Sequence, residues 1–422
     1  MRPVIVFFSM LAPGHLRRLL PLVEGVVRAG ARACVYTDSR FRTEVANTGG
    51  EFFDLFARFS LADADADSFP MAVRGVSYAG HFAGALLPEI AALRPTLIVH
   101  DTHAVIGRVI ATSLGIPRVN VCAGHNVDPV IFQAILAADP RVMVSDRCHK
   151  AVELLRDRYG IADSSPFCYV SSLSPFLNVY CEPPEFLTRE ERLVFEPIAF
   201  FGSVPSQDSA SGNTAPHPKI RSVSQHFQRS TALRVYVSFG TVVWRSYPAE
   251  ALTALRTIAS TLACRSDIET ILSLGGAAMD SDVVSSLEAS NVSVHALVDQ
   301  RSVLAEADVF ITHHGLNSTH EAIWHRVPML SCPFFWDQPA LAAKCQALGI
   351  AIPLFEAPRG PVTAARLLAA LEEIAGNAAF FAARLEVARD YELQVMAGRR
   401  AVVGQLLRLA KSGGEPRPRH PA

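Results

Sequence analysis

Two series of short apolar runs alternating with amphipathic segments, separated by a Ser/Gly/Pro-rich connector, predict an α/β protein of two Rossmann-like domains. The length agrees, because 422 residues, half of them apolar, exceed one ordinary domain and can bury two cores.

The first series opens with a strand over Val4 to Ser9. A helix follows with Leu19, Leu20, Val23, Val26 and Val27 on one face, closed by Gly30, and then a strand over Ala33 to Tyr36. The rhythm returns as strand Thr96 to His100, helix Ala104 to Leu114 and strand Arg118 to Val121, which implies a parallel sheet. Between these, Phe52, Phe53, Phe56, Phe59, Phe69, Tyr78 and Phe82 crowd a stretch without a clean period. Such rings fit buried packing or the wall of an apolar pocket.

From Ser203 to about Ser224 the composition turns to Ser, Gly, Asn, Pro and His, as in a mobile connector. The second series then gives strand Leu233 to Ser238, helix Pro248 to Leu262, and strands Glu269 to Leu274, Val292 to Ala296 and Val309 to Thr312. A helix from about Ser318 and a strand over Met329 to Cys332 complete it. The boundaries expected are 1–205 for the first domain, 206–230 for the linker and 231–385 for the second domain. A C-terminal helix at 386–411 returns to the first domain, and a disordered tail occupies 412–422.

The formal charge of -1 carries no nucleic-acid or membrane-surface footprint. No stretch approaches the roughly 20 apolar residues that a membrane-spanning helix needs. Eight scattered cysteines without a Cys-x-x-Cys pair read as buried thiols of a reducing compartment, and the apolar run at the N-terminus is cut too early by Gly14 and His15 for a signal peptide. The expectation is a cytoplasmic protein, monomeric or homodimeric, with small soluble partners.

At Thr312 to Glu321 an apolar strand ends in a small turn and a helix starts, with Asn317 and Ser318 as candidate caps. First-turn N–H groups and the helix dipole attract an anion there, and His313 can add a hydrogen bond. A capped surface helix with incidental histidines fits the same residues. The loop Ser238-Phe239-Gly240-Thr241 offers backbone access and a hydroxyl to a phosphate. A Gly-x-Gly-x-x-Gly motif follows neither first strand, and Gly275-Gly276 ends a different one, which disfavours a nicotinamide site. His320 and His325 are five residues apart and point to different sides of a helix, so with Glu321 they make no zinc motif. In the first domain, Pro13-Gly14-His15 follows the first strand and Asp101 follows the strand Thr96 to His100. A carboxylate that orients a histidine base suits proton removal from a hydroxyl, whereas Asp101 as an N-cap of the helix near Ala104 is the plainer role. His100 and His103 read as packing or loop residues.

The run His313-His314-Gly315-Leu316-Asn317-Ser318-Thr319-His320-Glu321 resembles the His-x-Gly-x-Asn-Ser-x-x-Glu motif of family 1 glycosyltransferases. Asp337-Gln338, Ser238 to Thr241, Gly14-His15 and Leu97-Ile98-Val99-His100-Asp101 are similar to further segments of that family, so the resemblance spans nearly the whole folded chain. It implies the GT-B architecture, two Rossmann-like domains facing each other across a cleft, and an inverting, metal-independent hexosyltransferase. His15 would be the base and Asp101 its partner. Ser238, Gly240, Thr241, His313, Gly315, Asn317 and Ser318 would hold the donor diphosphate, Glu321 the ribose, and Asp337 and Gln338 the sugar, with Val298 and Gln300 near the base. The implied co-substrates are a UDP- or dTDP-sugar and a small, apolar natural-product acceptor, as in antibiotic biosynthesis, with Phe56, Phe82, His125 and Trp336 as acceptor contacts. No cofactor and no metal are implied. Arg17-Arg18 depart from the family's Asn-Pro, and Leu297 stands where the family carries a base-stacking Trp. A catalytically silent homologue that binds a nucleotide-sugar as an auxiliary subunit, and a sugar-nucleotide epimerase, are the alternatives.

Overall fold

The computed structural model describes residues 2–203, 227, 232–355 and 359–412. The predicted linker 206–230, Phe227 apart, and the tail from 413 lie outside them. The chain forms two compact units, Met1–Gly202 with Gln394–Ala422, and Ser203–Leu393.

The first unit holds a seven-stranded parallel sheet in the order β3-β2-β1-β4-β5-β6-β7. Its strands are β1 Val4–Phe8, β2 Arg32–Thr37, β3 Glu51–Asp54, β4 Leu97–Asp101, β5 Arg118–Cys122, β6 Leu177–Tyr180 and β7 Ile198–Phe200. Central strands β4 and β5 are buried along their whole length, as a parallel sheet covered on both faces requires. The unpatterned stretch after β3 contains a 22-residue helix, Met71–Ala92. Half of its residues are buried, Ala, Gly and Ser among them, so it shows no narrow apolar stripe. Gly75 and Gly80 leave room for backbone, since a Cβ would lie 2.7 Å from the His103 carbonyl oxygen and 2.5 Å from that of Ala151.

The second unit repeats the plan with a six-stranded parallel sheet, β10-β9-β8-β11-β12-β13. Here β8 is Leu233–Ser238, β9 Ile268–Ser273, β10 Val292–His295, β11 Val309–Thr312, β12 Met329–Ser331 and β13 Ala351–Pro353. Its core joins β8, β9 and β11 to the helices Pro248–Ala263 and Ala364–Gly376 through Val235, Ile258, Leu272, Ile311 and Leu371. A last helix, Ala378–Ser412, starts in the second unit and from Gln394 belongs to the first. There Val403 fills the space over Gly25 and Arg399 donates to the Phe201 carbonyl. Among the described residues no helix is long and apolar enough to cross a membrane.

In both sheets the strand order reverses beside the first strand of the unit, between β1 and β4 and between β8 and β11. Strand ends at such a reversal leave a crevice where α/β proteins bind ligands. His15 follows β1 and Asp101 ends β4, whereas Ser238 ends β8 and pairs in register with Thr312, the residue before His313.

Candidate active site

In the first unit the helix after β1 runs Pro13–Arg28, so Pro13, Gly14 and His15 form its first turn instead of a free loop. Proline suits this position because its missing N–H has no helical partner there. His15 Nδ1 lies 3.4 Å from Asp101 Oδ1. Asp101 is fully buried and accepts the backbone N–H of Met10 at 3.0 Å and of His103 at 2.8 Å. Burial alone would raise its carboxyl; the hydrogen bond and charge from His15 outweigh it and hold the carboxyl well below its usual range. Asp101 is not the N-cap of the next helix, because Val105–Leu114 starts after Ala104 and has no side-chain cap.

His103 turns out to be part of this arrangement. Its ring stacks on His15 with centroids 4.0 Å apart and meets Tyr169 edge-on at 5.5 Å. Burial lowers its pKa to about 3, so the ring facing His15 is neutral. The one signal in the sequence was its place two residues after Asp101. His15, Asp101 and His103 bring ligand-type atoms within 4.8 Å of one another. His100 is core, with Nδ1 on the Asp101 carbonyl.

In the second unit His313 lies between two glycines. A Cβ on Gly240 would come within 2.7 Å of its ring and one on Gly315 within 2.5 Å, so small residues on both sides admit the imidazole. Burial lowers its pKa to about 4, leaving a neutral donor at neutral pH. The next residue, His314, takes a left-handed φ of 58° and is anchored by Ser331 Oγ at 2.7 Å and Thr319 Oγ1 at 3.3 Å. That turn carries the chain into the helix Leu316–His325 two residues earlier than expected. Its N-cap is Gly315, without a side-chain cap, and Asn317 and Ser318 sit inside the first turn. The first-turn N–H groups therefore face outward for an anion.

Gln300 Nε2 donates to Glu321 Oε2 at 2.6 Å and to Ser318 Oγ at 3.1 Å, joining three predicted donor residues in one network. Ser238 Oγ accepts the Gly240 N–H at 3.3 Å, and Thr241 is exposed at the turn. Gly275, which the sequence reading left without a role here, brings the loop after β9 against this turn, where a Cβ would lie 2.0 Å from the Gly240 carbonyl oxygen. Gln338 is only partly available for a sugar, since its Oε1 accepts the N–H groups of Phe334 and Phe335. Asp337 is half-buried ahead of the helix Gln338–Ala347, and Val298 is half-buried in the loop after β10.

The four acceptor candidates each have their own neighbours. Phe56 and Phe82 both pack edge-on against Tyr78, and Phe82 stacks on Phe59 at 4.2 Å. Phe82 lies seven residues beyond Gly75, which touches His103, or about 10 Å along the helix. His125 is buried after β5 with Nδ1 on Glu182 at 2.8 Å. Trp336 belongs to the second unit, where its ring meets Phe335.

Residues 208–387 match the family model described as UDP-glucoronosyl and UDP-glucosyl transferase. NDP-glycosyltransferase YjiC of Bacillus subtilis (strain 168) is 22% identical over 387 residues, covering 88% of this chain and 89% of that protein. Among solved structures, the glycotransferase of kitacinnamycin superposes with a TM-score of 0.73 at 23% identity, over 97% of this chain and 100% of the other. The spinosyn rhamnosyltransferase SpnG complexed with thymidine diphosphate gives a TM-score of 0.62 at 20% identity, over 95% and 100%. The two parallel-sheet domains thus share the GT-B fold of these glycosyltransferase structures, and the second of them carries the match to the glycosyltransferase family model.

Proposed function

We propose that this enzyme moves a sugar from a UDP- or dTDP-sugar to a hydroxyl of a small, apolar natural product, with inversion and without a metal ion. The observation that carries the reading is His15 beside a fully buried Asp101 that also accepts two backbone N–H groups. A carboxylate so placed fixes the imidazole tautomer and stabilises the imidazolium that forms. His15 Nε2 removes the acceptor proton as the acceptor oxygen bonds to the anomeric carbon. The bond from that carbon to the diphosphate oxygen breaks, and the nucleoside diphosphate leaves with the bonding pair. One displacement inverts the configuration.

The uncapped helix at Leu316 and the neutral His313 receive the charge that develops on the departing diphosphate. These groups supply positive potential without a cation, which supports the metal-independent reading. That the SpnG structure holds thymidine diphosphate supports a dTDP- or UDP-linked donor. Seven of the eight cysteines are buried thiols, in keeping with a cytoplasmic setting. The test is transfer from UDP- and dTDP-sugars to an apolar phenolic acceptor, in EDTA, with the product anomer read by NMR. A retained configuration, or a need for added Mg²⁺, overturns this mechanism.

A further inference from the structure

We propose that Glu392, acting through His320, is a positioning residue for the nucleotide-sugar donor: their buried pair sets the rotation of the helix that carries Ser318 and Glu321. The inference rests on the reading of that helix as the diphosphate site.

The first part of the Ala378–Ser412 helix runs along the Leu316–His325 helix as an antiparallel zipper. Glu386 holds Arg326, Arg389 lies over the Trp324 ring at 4.8 Å, and Glu392 meets His320 Nδ1. Residues 386, 389 and 392 are three apart, so each neighbours the next on the helix surface. The span 386 to 392 and the span 326 to 320 each rise about 9 Å, so the two rows keep step. The zipper is exposed at Arg326 and Glu386 and becomes fully buried at His320 and Glu392.

The buried end is where position is defined. His320 immediately precedes Glu321, and at about 100° per residue it lies about 160° around the helix from Ser318. Gln300 grips Ser318 and Glu321 on one side while Glu392 grips His320 on the other, so the helix is held against rotation from two directions. Glu392 Oε2 is buried without a hydrogen-bond partner. A core that needed only stability would be served as well by apolar side chains at both positions, since a buried polar pair rarely exceeds a packed hydrophobic substitute. Geometry is the more fitting return for such a pair, because misplacing a binding group by about 1 Å can cost about 10²-fold.

The experiment measures UDP and dTDP binding by calorimetry, with melting temperature, for the wild-type chain, Glu392→Leu and Glu392→Gln. Glu392→Leu is expected to weaken binding at least about tenfold, while Glu392→Gln, which keeps an acceptor for His320, stays within about threefold. Unchanged affinity in Glu392→Leu with a lowered melting temperature would assign the pair to stability alone and overturn the proposal. Equal losses in both variants overturn it as well. If Glu392→Leu does not fold, the double variant His320→Leu, Glu392→Leu takes its place, and wild-type affinity there is the overturning result. Failure of the wild-type chain to bind either nucleotide instead removes the underlying donor reading.

Discussion

Replacing Gly240 by Ala should damage nucleotide binding more than it damages the fold, and three glycines allow the causes to be separated. Gly240 has a φ of +67° and a Cβ there would lie 2.7 Å from His313 Cε1, so Ala introduces both strain and overlap. Gly276, at a φ of +83° with nothing within 4 Å, introduces strain alone. Gly315, at a φ of -66° but with a Cβ position 2.5 Å from His313 Nε2, introduces overlap alone. Left-handed backbone costs an Ala about 1 to 2 kcal/mol, or about 2–8 °C in melting temperature for a domain of this size. Carbon contacts settle near 3.5 to 4.0 Å, so the His313 ring must retreat by about 1 Å. Losing its hydrogen bond to a charged phosphate costs about 1.5 to 3 kcal/mol, which is about 10- to 150-fold in affinity. Calorimetric titration with UDP and dTDP should show that loss for Gly240→Ala and Gly315→Ala, with Gly276→Ala close to wild type. Equal affinities for all three folded variants would refute the role of His313 in the diphosphate site.

His15→Ala should lower turnover by about 10²- to 10⁴-fold with nucleotide affinity unchanged, because in the proposed mechanism His15 acts on the acceptor, and it should lower the melting temperature, because buried Asp101 loses the partner that favours its charged form. Asp101→Asn should lower both turnover and stability, the latter by about 1 to 3 kcal/mol, because an amide offers one acceptor where two backbone N–H groups and His15 now meet a carboxylate; a wild-type melting curve for this variant would contradict the hydrogen-bond assignment. Acid should destabilise the fold well before carboxylates titrate. The pKa values of His100 and His314 are lowered to about 3 and that of His313 to about 4, with burial the main cause, so between there and about 6.5 the unfolded chain binds more protons. Stability from these groups is complete above about pH 6.5 and falls as pH drops, by roughly 2 kcal/mol per histidine at pH 5. Urea titrations at pH 7, 6 and 5 check this, and a flat profile would refute it.

Both sheets could be read because their central strands are apolar runs bounded by clear turns, and Val309 to Thr312 begins and ends where the pattern said. The helix at residues 71–92 could not, because a helix packed on several sides loses the 3.6-residue stripe, and Gly75, Gly80, Gly84 and Pro88 disguise it further. Within the site, residues joined by local spacing were legible: Ser318 and Glu321 share a face, and Gly315 and His313 share a turn. His103, Gly275 and Glu392 were not, since their importance comes from contacts set by tertiary packing, with His15, Gly240 and His320 respectively. Asn317 and Ser318 were misplaced as caps for a similar reason, the start of their helix being set by the left-handed turn at His314.

The C-terminal helix also imposes an order on biosynthesis. The unit that leaves the ribosome first is completed last, because its final residues, from Gln394 onward, follow the whole of the second unit in the chain. Until Val403 emerges, the notch at Gly25 on the Pro13–Arg28 helix stays open, and with it the far side of the helix whose first turn carries His15. A nascent chain released early would thus present a finished second unit together with an unfinished first one, an intermediate with exposed apolar surface.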